Sequence, residues 1–235
     1  MRGTPQSRLA VALTAVSFVF WLCAVPAFPE AIQIGANGTL TPVAANPYNF
    51  SQSVTTGSGA TYTASGTLVQ LLQPGLVALE ITNLDITNTG TLPVSDAITF
   101  FSDSFPPFAS AGTGAVVMAG QYANSSGTID DAQAGLTFIY VAGLTPNPTF
   151  SVLAPAATNE ASPVGFDPSA VSGSLPSGVF EIGGTLNFTL AGKGDSLVST
   201  QGIGIEITPE SSTFSLMALG LLLLALLAWR RRLTA

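Results

Sequence analysis

The sequence predicts an all-β protein, an antiparallel β-sandwich of jelly-roll or Ig-like type, followed by a C-terminal transmembrane helix. Two observations carry the β assignment. Apolar residues of the body recur with a period of two, and the segments between these runs are rich in Gly, Pro, Asn and Ser. A third observation sets the tail apart: Phe214 to Trp229 is uniformly apolar, and no amphipathic helix elsewhere in the chain is available to cover it.

Taken from the N-terminus, the first strand candidates lie around Ile32–Ile34 and Ala60–Leu72. Next, Val77, Leu79 and Ile81 alternate with Ala78, Glu80 and Thr82, and after Asn83 the pattern resumes out of phase at Leu84 and Ile86. A bulge near Asn83 accounts for the slip. Further candidates follow at Ala97–Phe101, Ala115–Tyr122, Thr149–Leu153 and Val179–Ile182, while Phe138–Val141 reads as a strand covered on both faces. Leu186–Leu190 and Ile203–Ile207 carry the half-buried signature, apolar on one face and polar on the other.

Turn chemistry punctuates these runs. Asn37-Gly38, Gln73-Pro74-Gly75, Asn88-Thr89-Gly90, Ser126-Gly127 and Gly192-Lys193-Gly194-Asp195 supply the dihedral angles of tight connections. Between Gly143 and Gly178 six prolines (Pro146, Pro148, Pro155, Pro163, Pro168 and Pro176) argue against central strands, apart from a short one at Thr149–Leu153. That stretch is either a long surface loop or a set of edge elements. No fixed-period repeat occurs, and residues 28–208 suffice for one domain with its own core.

The two ends read as targeting segments. Arg2 and Arg8 precede an apolar stretch from Leu9 to Val25, and Val25-Pro26-Ala27 places small residues where a signal peptidase reads, so residues 1–27 are a signal peptide cleaved after Ala27. Cys23 is a poor lipidation site, because the bulky Leu22 precedes it. At the other end, the 16 residues from Phe214 to Trp229 form a helix of about 24 Å, somewhat short of a hydrocarbon core of about 30 Å. Ser211 to Thr213 can extend and cap it. Arg230, Arg231 and Arg232 act as a stop-transfer cluster that stays cytoplasmic, which puts the body outside.

Residues 209–235 resemble the PEP-CTERM sorting signal of Gram-negative bacteria, in which a Pro-Glu-Pro-type motif precedes a hydrophobic helix and an Arg-rich end. Pro209 and Glu210 occupy the first two motif positions, Ser211 stands at the third, and Arg230 to Arg232 form the terminal cluster. The resemblance implies recognition by an exosortase-like membrane protease, transient residence in the inner membrane, display at the cell surface or release, and association with exopolysaccharide. It covers only the tail.

Inventory excludes much chemistry from the body. The chain has no His, its one Cys is Cys23, and five of its six basic residues lie in the two targeting segments. A Ser-His-Asp triad, a Cys-His pair and a His-ligated zinc are therefore absent, and no disulfide framework is available. Lys193, the sole cation of the body, faces eleven carboxylates from Glu80 to Glu206, so nucleic acid is no partner. Lys193 itself sits in a Gly-Lys-Gly-Asp turn, where a solvated side chain is the ordinary outcome. Gly183-Gly184 and Gly202-x-Gly204 open no helix and lack a basic partner, so they make no phosphate cradle.

What composition still permits is paired carboxylates, with Glu80, Asp85, Asp96, Glu181 and Glu206 as candidates for a glycoside hydrolase, although solvated outward-facing side chains are the plainer reading. Calcium has oxygen ligands on offer at Asn83-Leu84-Asp85 with Asn88, and at Asp130-Asp131, but neither group has EF-hand spacing and both read as turn residues. The sequence thus points to a non-catalytic exported surface or extracellular-matrix protein without catalytic residues, cofactor or metal. A carbohydrate- or calcium-binding module stands behind that reading, and a secreted hydrolase behind both.

Overall fold

The computed structural model describes residues 30–43, 45–73, 76–102, 111–140, 149–179 and 181–209, and all regular structure among them is strand. In chain order the strands are β1 (Glu30–Ile34), β2 (Thr41–Val43), β3 (Tyr48–Thr55), β4 (Thr61–Gln73), β5 (Leu76–Asn88), β6 (Val94–Ser102) and β7 (Gly112–Ala123). They continue with β8 (Thr128–Tyr140), β9 (Phe150–Leu153), β10 (Ala157–Ala161), β11 (Val164–Leu175), β12 (Ile182–Leu190), β13 (Ser196–Ser199) and β14 (Ile203–Pro209). The expected helix over 214–229 and the signal peptide lie outside the described residues, and none of the described residues forms a helix long and apolar enough to cross a membrane.

Two antiparallel sheets result. The first has the order β10-β8-β12-β6-β1-β2, with β9 also paired to β8; the second has the order β11-β7-β13-β5-β4-β3, with β14 also lying between β5 and β7. Period-two alternation turns one side of each sheet inward. Leu79, Ile81, Leu84 and Ile86 from β5 meet Ile98 and Phe100 from β6 and Leu186 from β12 in one core, all fully buried. The Tyr62 and Phe188 rings, from opposite sheets, pack edge to face with centroids 5.3 Å apart.

The bulge expected near Asn83 is present. Asn83 has φ +51°, and the pairing of β4 with β5 slips between Ser65 and Thr67. One extra residue restores the phase, so both halves of β5 send their apolar residues into the same core. Its partner strand is interrupted at the same level: Ser199 opposes Leu84 and Ile203 opposes Ile81, with 200–202 between them. β13 and β14 are thus two pieces of one broken strand filling the gap between β5 and β7.

The proline-rich stretch resolves as edge elements. β9 and β10 lie end to end along one margin of β8, and β11 forms the margin of the second sheet. Pro168 falls where the pairing of β11 with β7 slips between Phe166 and Ser169, a position where a missing N–H breaks no ladder bond. One strand was placed too early: the segment expected at Val179–Ile182 begins only at Ile182, after a turn with Gly178 at φ +88°. β3 and β11 had no apolar alternation to announce them. Phe50 is the only buried side chain of β3, and Phe166 and Leu175 the only ones of β11.

One end of the molecule is tied by buried polar groups. Asp195, fully buried, accepts hydrogen bonds from Asn124 Nδ2 at 2.6 Å and from the Gly192 amide at 2.7 Å. Asn88, also fully buried, donates from Nδ2 to the carbonyls of Leu92 and Leu190 and accepts from the Gly90 amide. The Asn88 amide donates to the Asp195 carbonyl and the Gly194 amide to that of Asn88, so three connections, β5 to β6, β7 to β8 and β12 to β13, share one network.

Candidate functional site

The sequence-predicted residues do not converge. Ala27, Glu210, Arg230, Arg231 and Arg232 lie outside the described residues, and Pro209 is the last residue of β14, opposite Gly112. Among the described residues no group of three His, Cys, Asp or Glu side chains is placed to hold a metal. Of the groups weighed for calcium, Asp85 accepts from Thr87, Asp131 from Thr158, and Asn88 belongs to the buried network.

The carboxylate candidates separate into different environments. Asp96 is no solvated side chain: it accepts from the amides of Ala36 at 2.6 Å and Ala97 at 2.9 Å, and from the Tyr62 hydroxyl at 3.0 Å. Burial, reinforced by that neighbouring carboxylate, pushes the Tyr62 phenol well above the ordinary tyrosine range and keeps it a donor. Glu181 is buried as well, at 8 % exposure, which corrects the outward reading for a second residue. Only Glu80 and Glu206 come together. They sit on adjoining strands of the second sheet, where Gly204 opposes Glu80 and Glu206 opposes Ala78, and both line a shallow depression of about 210 Å³. Partial burial raises the Glu80 carboxyl above its ordinary value.

A depression of about 410 Å³ lies on the outward side of the first sheet and was not foreseen. Register builds it. Ala97, Asn187 and Gly135 stand in one row across β6, β12 and β8, and Leu153 of β9 continues the row opposite Gly135. Thr99, Thr185 and Thr137 form the next row on one side, and Ser95, Thr189 and Gln133 the row on the other. Ala97 and Gly135 are the small members of the middle row, and Ser95, Gln133, Thr189 and Thr137 line the trough-like depression to either side of it. The rows flanking the floor are four residues apart along each strand, hence about 13 Å at 3.3–3.4 Å per residue. From Ala97 to Leu153 the floor crosses three strand spacings, about 14 Å.

The trough is chemically mild. Asp96 at one end is its only charged lining residue. Thr99 and Thr185 pair hydroxyl to hydroxyl at 3.0 Å, and Leu153, 67 % exposed, lies over Gly135 so closely that a Cβ there would meet its Cδ2 at 2.6 Å. Nothing in single-strand periodicity marks this surface, because its rows run across strands whose pairing local sequence does not state. The one available signal was the run of polar residues at alternate positions in Leu186–Leu190 and in residues 132–138. No protein-family model, curated protein or solved structure matches the chain.

Proposed function

We propose that the chain is a non-catalytic exported surface or extracellular-matrix protein, sorted by its C-terminal signal, cleaved by an exosortase-like protease and associated with exopolysaccharide. In this reading the two sheets form a β-sandwich of jelly-roll or Ig-like type, residues 1–27 are removed on export, and the helix over 214–229 holds the precursor in the inner membrane. Arg230, Arg231 and Arg232 stop transfer on the cytoplasmic side. Pro209 and Glu210 are recognition elements of a substrate.

What supports the reading is how far the folded body reaches along the chain. β14 is a central strand locked between β5 and β7, and it ends at Pro209, the residue with which the motif begins. Pro209 thus belongs to both the body and the motif, and cleavage beyond it leaves every described strand in place. The test is the mass of the mature protein from cells with and without the protease. A species running from Phe28 to the Pro209-Glu210 region only when the protease is present is the expected result, and an intact C-terminus in both strains refutes the sorting role.

One observation favours a second reading. Glu80 and Glu206 share a depression, and the raised Glu80 is suited to donate a proton, as a two-carboxylate glycoside hydrolase requires. Release of reducing ends from the polysaccharide of the producing cells, abolished in Glu80→Gln and Glu206→Gln, would establish it.

A further inference from the structure

The trough on the first sheet, taken together with the charge of the body, points to one class of ligand, and we infer that it is the binding site of a neutral polysaccharide chain. The inference rests on the proposed association with exopolysaccharide and assigns it a place and a chemistry. A pyranose chain presents C–H faces and hydroxyl edges. The floor of the trough offers apolar surface at Ala97 and the exposed Leu153, with the Asn187 carboxamide rising between them to donate and accept. Thr137 on one side and Ser95, Thr189 and Gln133 on the other face the hydroxyl edges with groups that both donate and accept. A floor about 14 Å long takes a few sugar residues and leaves both ends of the chain free to continue.

Charge selects within the class. Asp131 lies exposed two residues from Gln133, and the body holds eleven carboxylates between Glu80 and Glu206 against Lys193. An acidic polymer is repelled from such a surface, whereas a neutral one meets no penalty. An extended peptide is the weaker fit. Peptides add to sheets through unpaired backbone groups at an edge, and the floor of the trough runs across β12, whose backbone is paired on both sides. It carries no aromatic platform among its exposed residues, so affinity per site is modest and binding gains from many copies along one polymer.

The experiment uses the full chain, purified in detergent, and the extracellular polysaccharide of the producing cells separated by ion exchange into neutral and acidic pools. The protein is expected to be retained on the immobilised neutral pool and to pass through the acidic one. Asn187→Ala, at an exposed position, should weaken retention about 5-fold, the loss of roughly one hydrogen bond. Ser95→Trp, also exposed, should block the trough and abolish retention, with thermal unfolding unchanged in both variants. Failure of the wild-type protein to bind the neutral pool, stronger binding to the acidic pool, or equal retention of both variants would each overturn the assignment. Peptide capture blocked by Ser95→Trp would do the same in favour of a peptide site. Tail processing, read by mass, is unaffected by any of these outcomes, so the sorting proposal stands or falls separately.

Discussion

Replacing Asp195 by alanine removes the acceptor at the centre of the buried network. Its carboxylate takes two short hydrogen bonds, from Asn124 Nδ2 at 2.6 Å and the Gly192 amide at 2.7 Å, which set the cost, and a long one from the Asp130 amide at 3.4 Å; at 0 % exposure no water can substitute. Asn124 Nδ2 keeps only a longer bond, 3.3 Å, to the Lys193 carbonyl. A buried donor left without its partner costs about 1–3 kcal/mol, so two of them cost roughly 2–6 kcal/mol, with about 4 kcal/mol as the central value. Against a total stability of about 5–15 kcal/mol for a domain, that is a large fraction. In a body of this size each kcal/mol lowers Tm by about 2–4 °C, which gives a fall of roughly 8–16 °C. Asp195→Asn, which keeps one acceptor oxygen, should lose about half as much. The assay is far-UV circular dichroism of the full chain, because the only tryptophans, Trp21 and Trp229, lie outside the body. A fall of less than about 3 °C for Asp195→Ala would show that the network is not what ties these three connections together.

Other outcomes follow from the same structure. Glu80 has a folded-state carboxyl raised by burial, so the folded protein holds a proton longer than the unfolded chain. The stability it contributes is therefore present at low pH and is lost as pH rises from the unfolded value through the raised one; Glu80→Gln should flatten that decline in a Tm-versus-pH series. Gly202 has φ +100°, and a Cβ there would run into the Glu80 carboxylate, so Gly202→Ala should lower stability by about 1–3 kcal/mol in denaturant titration. Tyr122→Phe should be neutral or slightly stabilising by the same titration, since the buried hydroxyl lies beside the Ala134 backbone but outside hydrogen-bonding geometry. Replacing Arg230, Arg231 and Arg232 together by alanine should shift the precursor out of the membrane fraction, and unaltered fractionation would count against the stop-transfer role.

Much of the fold was legible because burial on one side of a sheet writes itself into the chain at every second residue. Val77 to Ile86 announced a strand, its bulge at Asn83 and its buried face, and Leu186–Leu190 and Ile203–Ile207 did the same. β3 and β11 stayed hidden for the converse reason: strands at the margins bury so few side chains that no alternation remains to be read. The site was less legible. Asp96 and Glu181 read as solvated because a carboxylate in a strand normally is, and only the fold brings Tyr62 and the Ala36 amide to Asp96.

The sequence by itself determined the all-β class, the punctuation of its turns, and the absence of histidine and cysteine chemistry from residues 28–208. These depend on residue type and on spacing over a few positions, where local sterics and hydrophobic period act directly. Tertiary structure alone decided that β13 and β14 together fill one gap, that Asp195 and Asn88 bind three distant connections, and that Ala97, Asn187, Gly135 and Leu153 form the floor of a trough. Those facts depend on strand register, which joins residues far apart in the chain. Register is set by the whole core at once, so no single segment contains it.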